Sequence, residues 1–316
     1  MKNKKLLLLS LAVVLAGCSA GTFSTDYESA LQRRDEILED QNRETFDLRH
    51  IMSFKNVNDR IYYVKSDFEL NVVNGSTSSK TNQTEIVYTL KKDKLENYCR
   101  IHNINRVKND DTGTQKLVES SRWIYVSEGM IFDAYDDGIA RTYFKTPLET
   151  TSEKEIANKF NEYVETYLND QMNYKGEDHL NIEEKQLFID QAIEAGDSTA
   201  SIEYFRTTDD NSLIIDMNVG ADWKEESDGL YSIERFRDYC CWNDSLLVSY
   251  QYSEETGTGK KAEGKSSVDM VNGHMYNYSQ KMVFKNPNKD TNYFEPTKPK
   301  IEGFEDITPT EGGLDD

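Results

Sequence analysis

The chain has 316 residues, with 37 Lys and Arg against 57 Asp and Glu, for a formal net charge of −20. A body that acidic repels nucleic acid and anionic lipid head groups, so no nucleic-acid partner is expected and surface charge cannot hold the chain at a membrane. A hydrophobic fraction of 37%, with 19 Tyr and 13 Phe, is enough for one real core and argues against global disorder.

Lys2, Lys4 and Lys5 precede Leu6 to Gly17, a run in which Ser10 is the one polar side chain. A basic start followed by a short apolar run is a signal peptide over residues 1–17. Twelve helical residues span about 18 Å, short of the roughly 30 Å hydrocarbon core, so the run is no transmembrane helix. Its end, Leu15-Ala16-Gly17-Cys18, resembles the lipobox of bacterial lipoproteins. The resemblance implies that Leu15, Ala16 and Gly17 enter the lipoprotein signal peptidase and that the Cys18 thiol takes a diacylglycerol. The rival reading is an ordinary signal peptide with a chance cysteine at its cleavage site. Acyl chains contribute on the order of 0.8 kcal/mol per buried methylene, so two chains make a stable anchor where one is marginal. Removing the seventeen-residue leader and its three lysines leaves 299 residues at a net charge of −23. Cys99, Cys240 and Cys241 then remain, too few for a disulfide scaffold. A bridge from Cys99 to Cys240 or Cys241 and three buried free thiols both fit.

Residues 18–26 read as a lipidated polar tether. Thr25-x-x-Glu28 is a capping box opening a helix from Tyr27 to about His50, with Leu31, Ile37, Leu38 and Leu48 near one stripe. From Arg60 the period changes to two. Phe68, Leu70 and Val72 alternate with acidic and amide residues, and Ile86, Tyr88 and Leu90 continue after the turn at Asn74-Gly75-Ser76. Strands are expected over 95–107, 117–126, 130–135 and 139–145, the last two joined by Asp136-Asp137-Gly138. Ser152-x-x-Glu155 opens a second helix with Ile156, Phe160, Tyr163, Val164, Tyr167 and Leu168 on one face. A shorter helix over 183–195 stops at Gly196. Strands resume over 200–206, 212–219, 231–242, 245–253, 267–271 and 275–284. Residues 286–316 hold four of the five prolines and eight acidic residues against three lysines, and read as an acidic disordered tail.

No G-x-S-x-G elbow, H-E-x-x-H, P-loop or G-x-G-x-x-G is present. His50, His102, His179 and His274 are scattered, without metal-ligand spacing. Asp133-x-Tyr135-x-Asp137-Gly138 echoes a calcium loop, but Tyr135 and Phe144 stand where carboxylates are needed, so it reads as a hairpin turn. No catalytic residue, metal site or cofactor is assigned, and an enzyme is not expected.

The order of helix, about six strands, two helices and about five strands resembles the LolA/LolB-like superfamily of lipoprotein carriers and related Gram-positive surface lipoproteins. Trp123-Ile-Tyr-Val126, Glu128-Gly129, Met130-Ile-Phe-Asp133, Asp137-Gly138 and Arg141-Thr-Tyr-Phe144 look like the strand pairs of such proteins. The resemblance covers roughly residues 27–284. It implies an α+β fold over 27–285: a strongly curved antiparallel sheet of about eleven strands, an incomplete barrel, with helices on its concave face. A hydrophobic or amphiphilic ligand would then lie among Tyr88, Trp123, Phe132, Tyr143, Phe144, Phe160, Tyr204 and Tyr276, the alternative being that these aromatics are simply core. The expected partners are the membrane through the anchor, a lipid or other amphiphile, and an envelope protein. The expected place is the outer face of the cell membrane, or the outer membrane or periplasm of a two-membrane organism. The rival function is an envelope scaffold with a closed core and an acidic interaction surface.

Overall fold

The computed structural model describes residues 21–41, 60–90, 97–169, 171–172, 176–220, 222–227, 229–243, 246–261, 266–285 and 297–309. The leader, Cys18 and its lipobox, His50 and residues 286–296 lie outside the described residues.

Period-two stretches become long strands. The first meander is β2 (Arg60–Val73), β3 (Ser76–Thr89), β4 (Tyr98–Asn109), β5 (Thr114–Ser127), β6 (Met130–Asp136) and β7 (Arg141–Pro147). Asn74-Gly75 and Glu128-Gly129 each place two successive residues at positive φ, 50° and 81° in the first pair and 53° and 73° in the second. That is the two-residue hairpin whose twist matches its flanking strands. The second meander is β8 (Ser201–Thr207), β9 (Leu213–Val219), β11 (Leu230–Asn243), β12 (Leu246–Lys261) and β13 (Val268–Lys285). Three short strands join them: β1 (Thr22–Thr25), β10 (Lys224–Ser227) and β14 (Glu305–Asp306).

These fourteen strands form one unclosed, curved sheet in the order β1-β8-β9-β11-β12-β13-β2-β3-β4-β5-β6-β7-β14, with β10 on β11. The last strand of the second meander pairs with the first strand of the first, Tyr278 opposite Asp67 and Met282 opposite Tyr63. The fold is α+β with a dominant sheet, and its fourteen strands correct the expectation of about eleven. The additional strands are two to four residues long. Such pieces carry no periodicity of their own and are strands only because a long neighbour pairs with them. In the other direction, 267–271 and 275–284 are one strand running through Asn272-Gly273. Gly273 faces Gly257 across β12 and β13, and a Cβ on it would meet the Thr256 carbonyl at 2.4 Å and Met270 Sδ at 2.7 Å. Glycine there serves close backbone approach and not a turn.

Among the described residues the helices are α1 (Tyr27–Gln41), α2 (Glu153–Leu168) and α3 (Ile182–Glu194), with a 3-10 turn at Glu177–Leu180. Their caps differ from the expected ones. Asp26, not Thr25, caps α1 by accepting from Ser29 N at 2.7 Å, because Thr25 is drawn into β1 opposite Tyr204. Ser152 precedes α2 without a side-chain cap, while the Thr150 hydroxyl bonds Glu155. On α3 the Asn181 side chain caps the helix, accepting from Glu184 N at 3.2 Å and donating from its amide to the Glu184 carboxylate at 2.6 Å.

All three helices cover the same sheet face. α2 lays Ile156, Phe160, Val164 and Leu168 on Ile61, Tyr63, Ile86, Tyr88, Cys99 and Ile124. α1 brings Ala30 and Ile37 onto Tyr204, Leu213, Ile215, Cys240, Trp242 and Leu247, with Leu180 and Ile182 beside them. The opposite face of the first meander carries Val87, Tyr98, Tyr125 and Phe132, with Tyr143 and Ile301 packed against them. Residues 297–309, within the stretch expected to be disordered, run along this aromatic patch. Tyr98 donates to the Thr297 carbonyl at 3.1 Å, Asp306 pairs with Lys145 at 3.1 Å, and β14 adds in parallel to β7. Composition could not reveal this docking, because its driving surface lies on strands nearly two hundred residues earlier.

Candidate functional site

Along the long central strands the helix-bearing face changes character. On β2 the apolar Ile61 and Tyr63 give way at the same parity to Lys65, Asp67 and Glu69, and on β3 Tyr88 and Ile86 give way to Thr84 and Asn82. The apolar ends bind α2, and among the described residues no helix covers the polar ends. Between the two helical covers lies an open pocket of about 300 Å³ lined by His179, Tyr250, Tyr252, Tyr276, Tyr278 and Gln280.

Strand register makes its floor. Tyr250 faces Gln280, Tyr252 faces Tyr278 and Glu254 faces Tyr276, so two Tyr-x-Tyr repeats on neighbouring strands put four rings on one face. The pairs Tyr250–Tyr278 and Tyr252–Tyr276 lie 5.7 and 6.3 Å apart, tilted by 51° and 52°. His179 enters from the 3-10 turn and stacks on Tyr250 at 3.9 Å between centroids.

Hydrogen bonds hold these rings. Gln280 accepts from Tyr63 at 3.2 Å and Tyr278 at 2.8 Å. Tyr250 donates to Asp238 at 3.2 Å, and Lys185 holds the other oxygen of that carboxylate at 2.8 Å. Tyr252 donates to Glu254 at 3.0 Å. Burial raises the pKa of all four phenols, that of Tyr252 to about 12, so they remain protonated donors at neutral pH. Burial lowers the pKa of His179, against the pull of Asp238.

The eight aromatics named from the sequence do not share one hollow. Tyr276 lines this pocket. Tyr88 and Phe160 are fully buried against each other, with Tyr88 donating to Asn161 at 2.6 Å. Tyr204 is in the core under α1, and Phe144 packs on Tyr163 of α2. Trp123, Phe132 and Tyr143 are on the opposite face, with the C-terminal segment. Sequence reasoning missed His179, Tyr250, Tyr252, Tyr278 and Gln280. The readable mark was the doubled Tyr-x-Tyr followed by Gln280 at the same parity; nothing in the sequence marked His179, which arrives by tertiary packing.

A second polar constellation lies beneath α2. Asp133 pairs with Arg122 at 3.0 Å and accepts from Tyr163 at 3.0 Å, while Arg122 sits 4.4 Å from the Tyr167 ring centroid. Burial raises the Asp133 carboxyl above the usual range despite its arginine partner. Partners on every side make this a packed structural cluster. Cys99, Cys240 and Cys241 are buried and form no disulfide, and burial pushes the Cys240 thiol up to about 12, which makes it unreactive. His102 bonds Ser121 at 2.7 Å and His274 lies 3.5 Å from Glu69. Among the described residues no group of three or more His, Cys, Asp or Glu is placed to hold a metal ion, and no helix is long and apolar enough to cross a membrane.

No protein-family model and no curated protein matches the chain. Among solved structures, chicken CD1-1 aligns at 11% identity over 67% of this chain and 99% of that chain, with a TM-score of 0.12, a likeness too slight to carry an argument about fold or function.

Proposed function

We propose that this chain is a lipid-anchored binding protein of the bacterial envelope, tethered through Cys18 with its body outside the cytoplasm, which takes a small amphiphilic ligand on the concave side of a LolA-like half-barrel. The observation that carries the reading is the open tyrosine pocket between the two helical covers. Its rings offer apolar contact, its phenols and Gln280 offer hydrogen bonds, and its volume lies at the small end of ligand sites. The apolar hollows on either side are filled by Phe160, Leu168 and Met172 in one and by Ala30, Ile37 and Leu180 in the other. The pocket therefore suits a head group, with any tail left to solvent or membrane. That same filling favours the rival reading, a scaffold with a closed core.

The two part under one experiment. The full chain is purified in mild non-ionic detergent, examined by native mass spectrometry and extracted with organic solvent. A bound amphiphile, lost from a Tyr252→Ala, Tyr276→Ala double variant of unchanged melting temperature, is the expected result. A dry protein that also ignores lipophilic dyes overturns the binding reading and leaves the scaffold.

A further inference from the structure

We propose that the group this pocket takes is cationic, an alkylated ammonium such as the head of an ammonium amphiphile; the inference rests on the binding reading above and specifies its ligand class. Aromatic faces attract cations through the ring quadrupole, and the attraction grows where several rings converge beside carboxylates. The pocket has both features. Four tyrosine rings share its floor, and the tilt of about 50° within each pair keeps the rings from stacking on one another. The register then sets carboxylates at its edge on the same face: Glu254 beside Tyr252, Glu69 opposite Tyr276 and Asp67 opposite Tyr278, with Asp238 beneath Tyr250.

The lysines of this face are fewer than its carboxylates. Lys185 is committed to Asp238 at 2.8 Å. Lys65, opposite Gln280, is shifted by burial toward its neutral form, and His179 is shifted the same way. Asp67 and Glu254 accept hydrogen bonds from the neutral donors Asn82 and Tyr252, whereas Glu69, bonded by Asn71, also faces Lys80 across the ladder and lies 3.5 Å from His274. An anionic guest would meet Asp67, Glu69 and Glu254, with Lys65 and Lys80 as the lysines of the same face. A neutral guest could donate hydrogen bonds to these carboxylates but would gain no charge attraction from them.

The test compares choline with its neutral carbon isostere, 3,3-dimethyl-1-butanol, by calorimetric titration of the full chain in mild detergent. Choline is expected to bind at least about fivefold more tightly, the contribution of one solvent-exposed cation–π contact. Its affinity should fall with added salt and fall severalfold in Glu254→Gln, a near-isosteric change whose folding the melting temperature reports. Tyr252→Phe, which keeps the ring, should retain binding, whereas Tyr252→Leu should lose it. Equal binding of the two isosteres overturns the cationic assignment while leaving a pocket that binds. Failure of both to bind also overturns it, and the co-purified species from the extraction experiment then decides the binding reading separately. Tighter binding of N-acetyl-lysine amide than of choline overturns the head-group class in favour of a peptide lysine.

Discussion

Phe160→Ala removes the ring at the centre of α2, and its consequence follows from where that ring sits. The side chain has 0% exposure and lies 6.2 Å, centroid to centroid, from the equally buried Tyr88. Fully burying a phenylalanine contributes about 1.5–3 kcal/mol by transfer from water. The space left cannot collapse freely, because Tyr88 is tied to Asn161 and the strands beneath are paired on both sides. Residual cavity adds about 24 cal/mol per Å³, so a remnant of about 60 Å³ adds about 1.5 kcal/mol. The expected loss is about 3–5 kcal/mol, or roughly 10 °C in melting temperature for a domain of this size. Chemical denaturation followed by circular dichroism reads it, with Leu187→Ala on the exposed side of α3 as the control, expected within about 0.5 kcal/mol. Ligand binding at the tyrosine pocket should persist in the folded fraction. A loss under about 1 kcal/mol, or abolished binding without destabilisation, would refute the assignment of Phe160 to core.

Other perturbations probe the rest of the molecule. Removing residues 297–316 should uncover the Tyr98, Tyr125, Phe132 and Tyr143 patch and the free edge of β7, raising anilinonaphthalene-sulfonate fluorescence and promoting self-association in light scattering; a monomeric, dye-silent truncation would show that the segment covers nothing. Gly273→Ala should cost about 2 kcal/mol or more in a denaturant titration, since the new Cβ would lie 2.4 Å from the Thr256 carbonyl, and a neutral outcome would deny the close approach of β12 and β13. His179 has its ionisation lowered by burial in the folded state, so the unfolded chain binds the proton more readily. Folding stability should therefore decline as pH falls below about 6.5, down to the depressed folded value, and a His179→Gln variant should show a flatter profile over that window. Parallel profiles for the two proteins would remove His179 from its buried position.

The long strands and the three described helices were legible because their side chains repeat a period of two or of 3.6. Phe160 with Val164, and Tyr63 with Ile61, announce which face meets which. The short strands were not legible, since four residues of β1 or β10 owe their conformation to Tyr204 and Tyr231 across the ladder. Asn272-Gly273 misled for a physical reason: glycine that ends a strand and glycine that lets two strands touch have the same letter. The eight aromatics expected to line one ligand site are spread over both faces of the sheet, because parity alone could not say which hollow each faced. That depended on the pairing of β13 with β2, a contact between residues about two hundred positions apart. The pocket arises at that seam, where the second meander's tyrosines meet the first meander's carboxylates.

Hydroxyl-radical footprinting of the full chain, read residue by residue by mass spectrometry, bears most directly on whether the hollow is filled by helices and open only at the tyrosine seam. Tyr252 and Tyr276 should oxidise rapidly while Tyr88 and Phe160 stay protected until the protein unfolds. Equal rates at all four would mean that α2 does not close the apolar hollow and that the guest site lies under the helix instead.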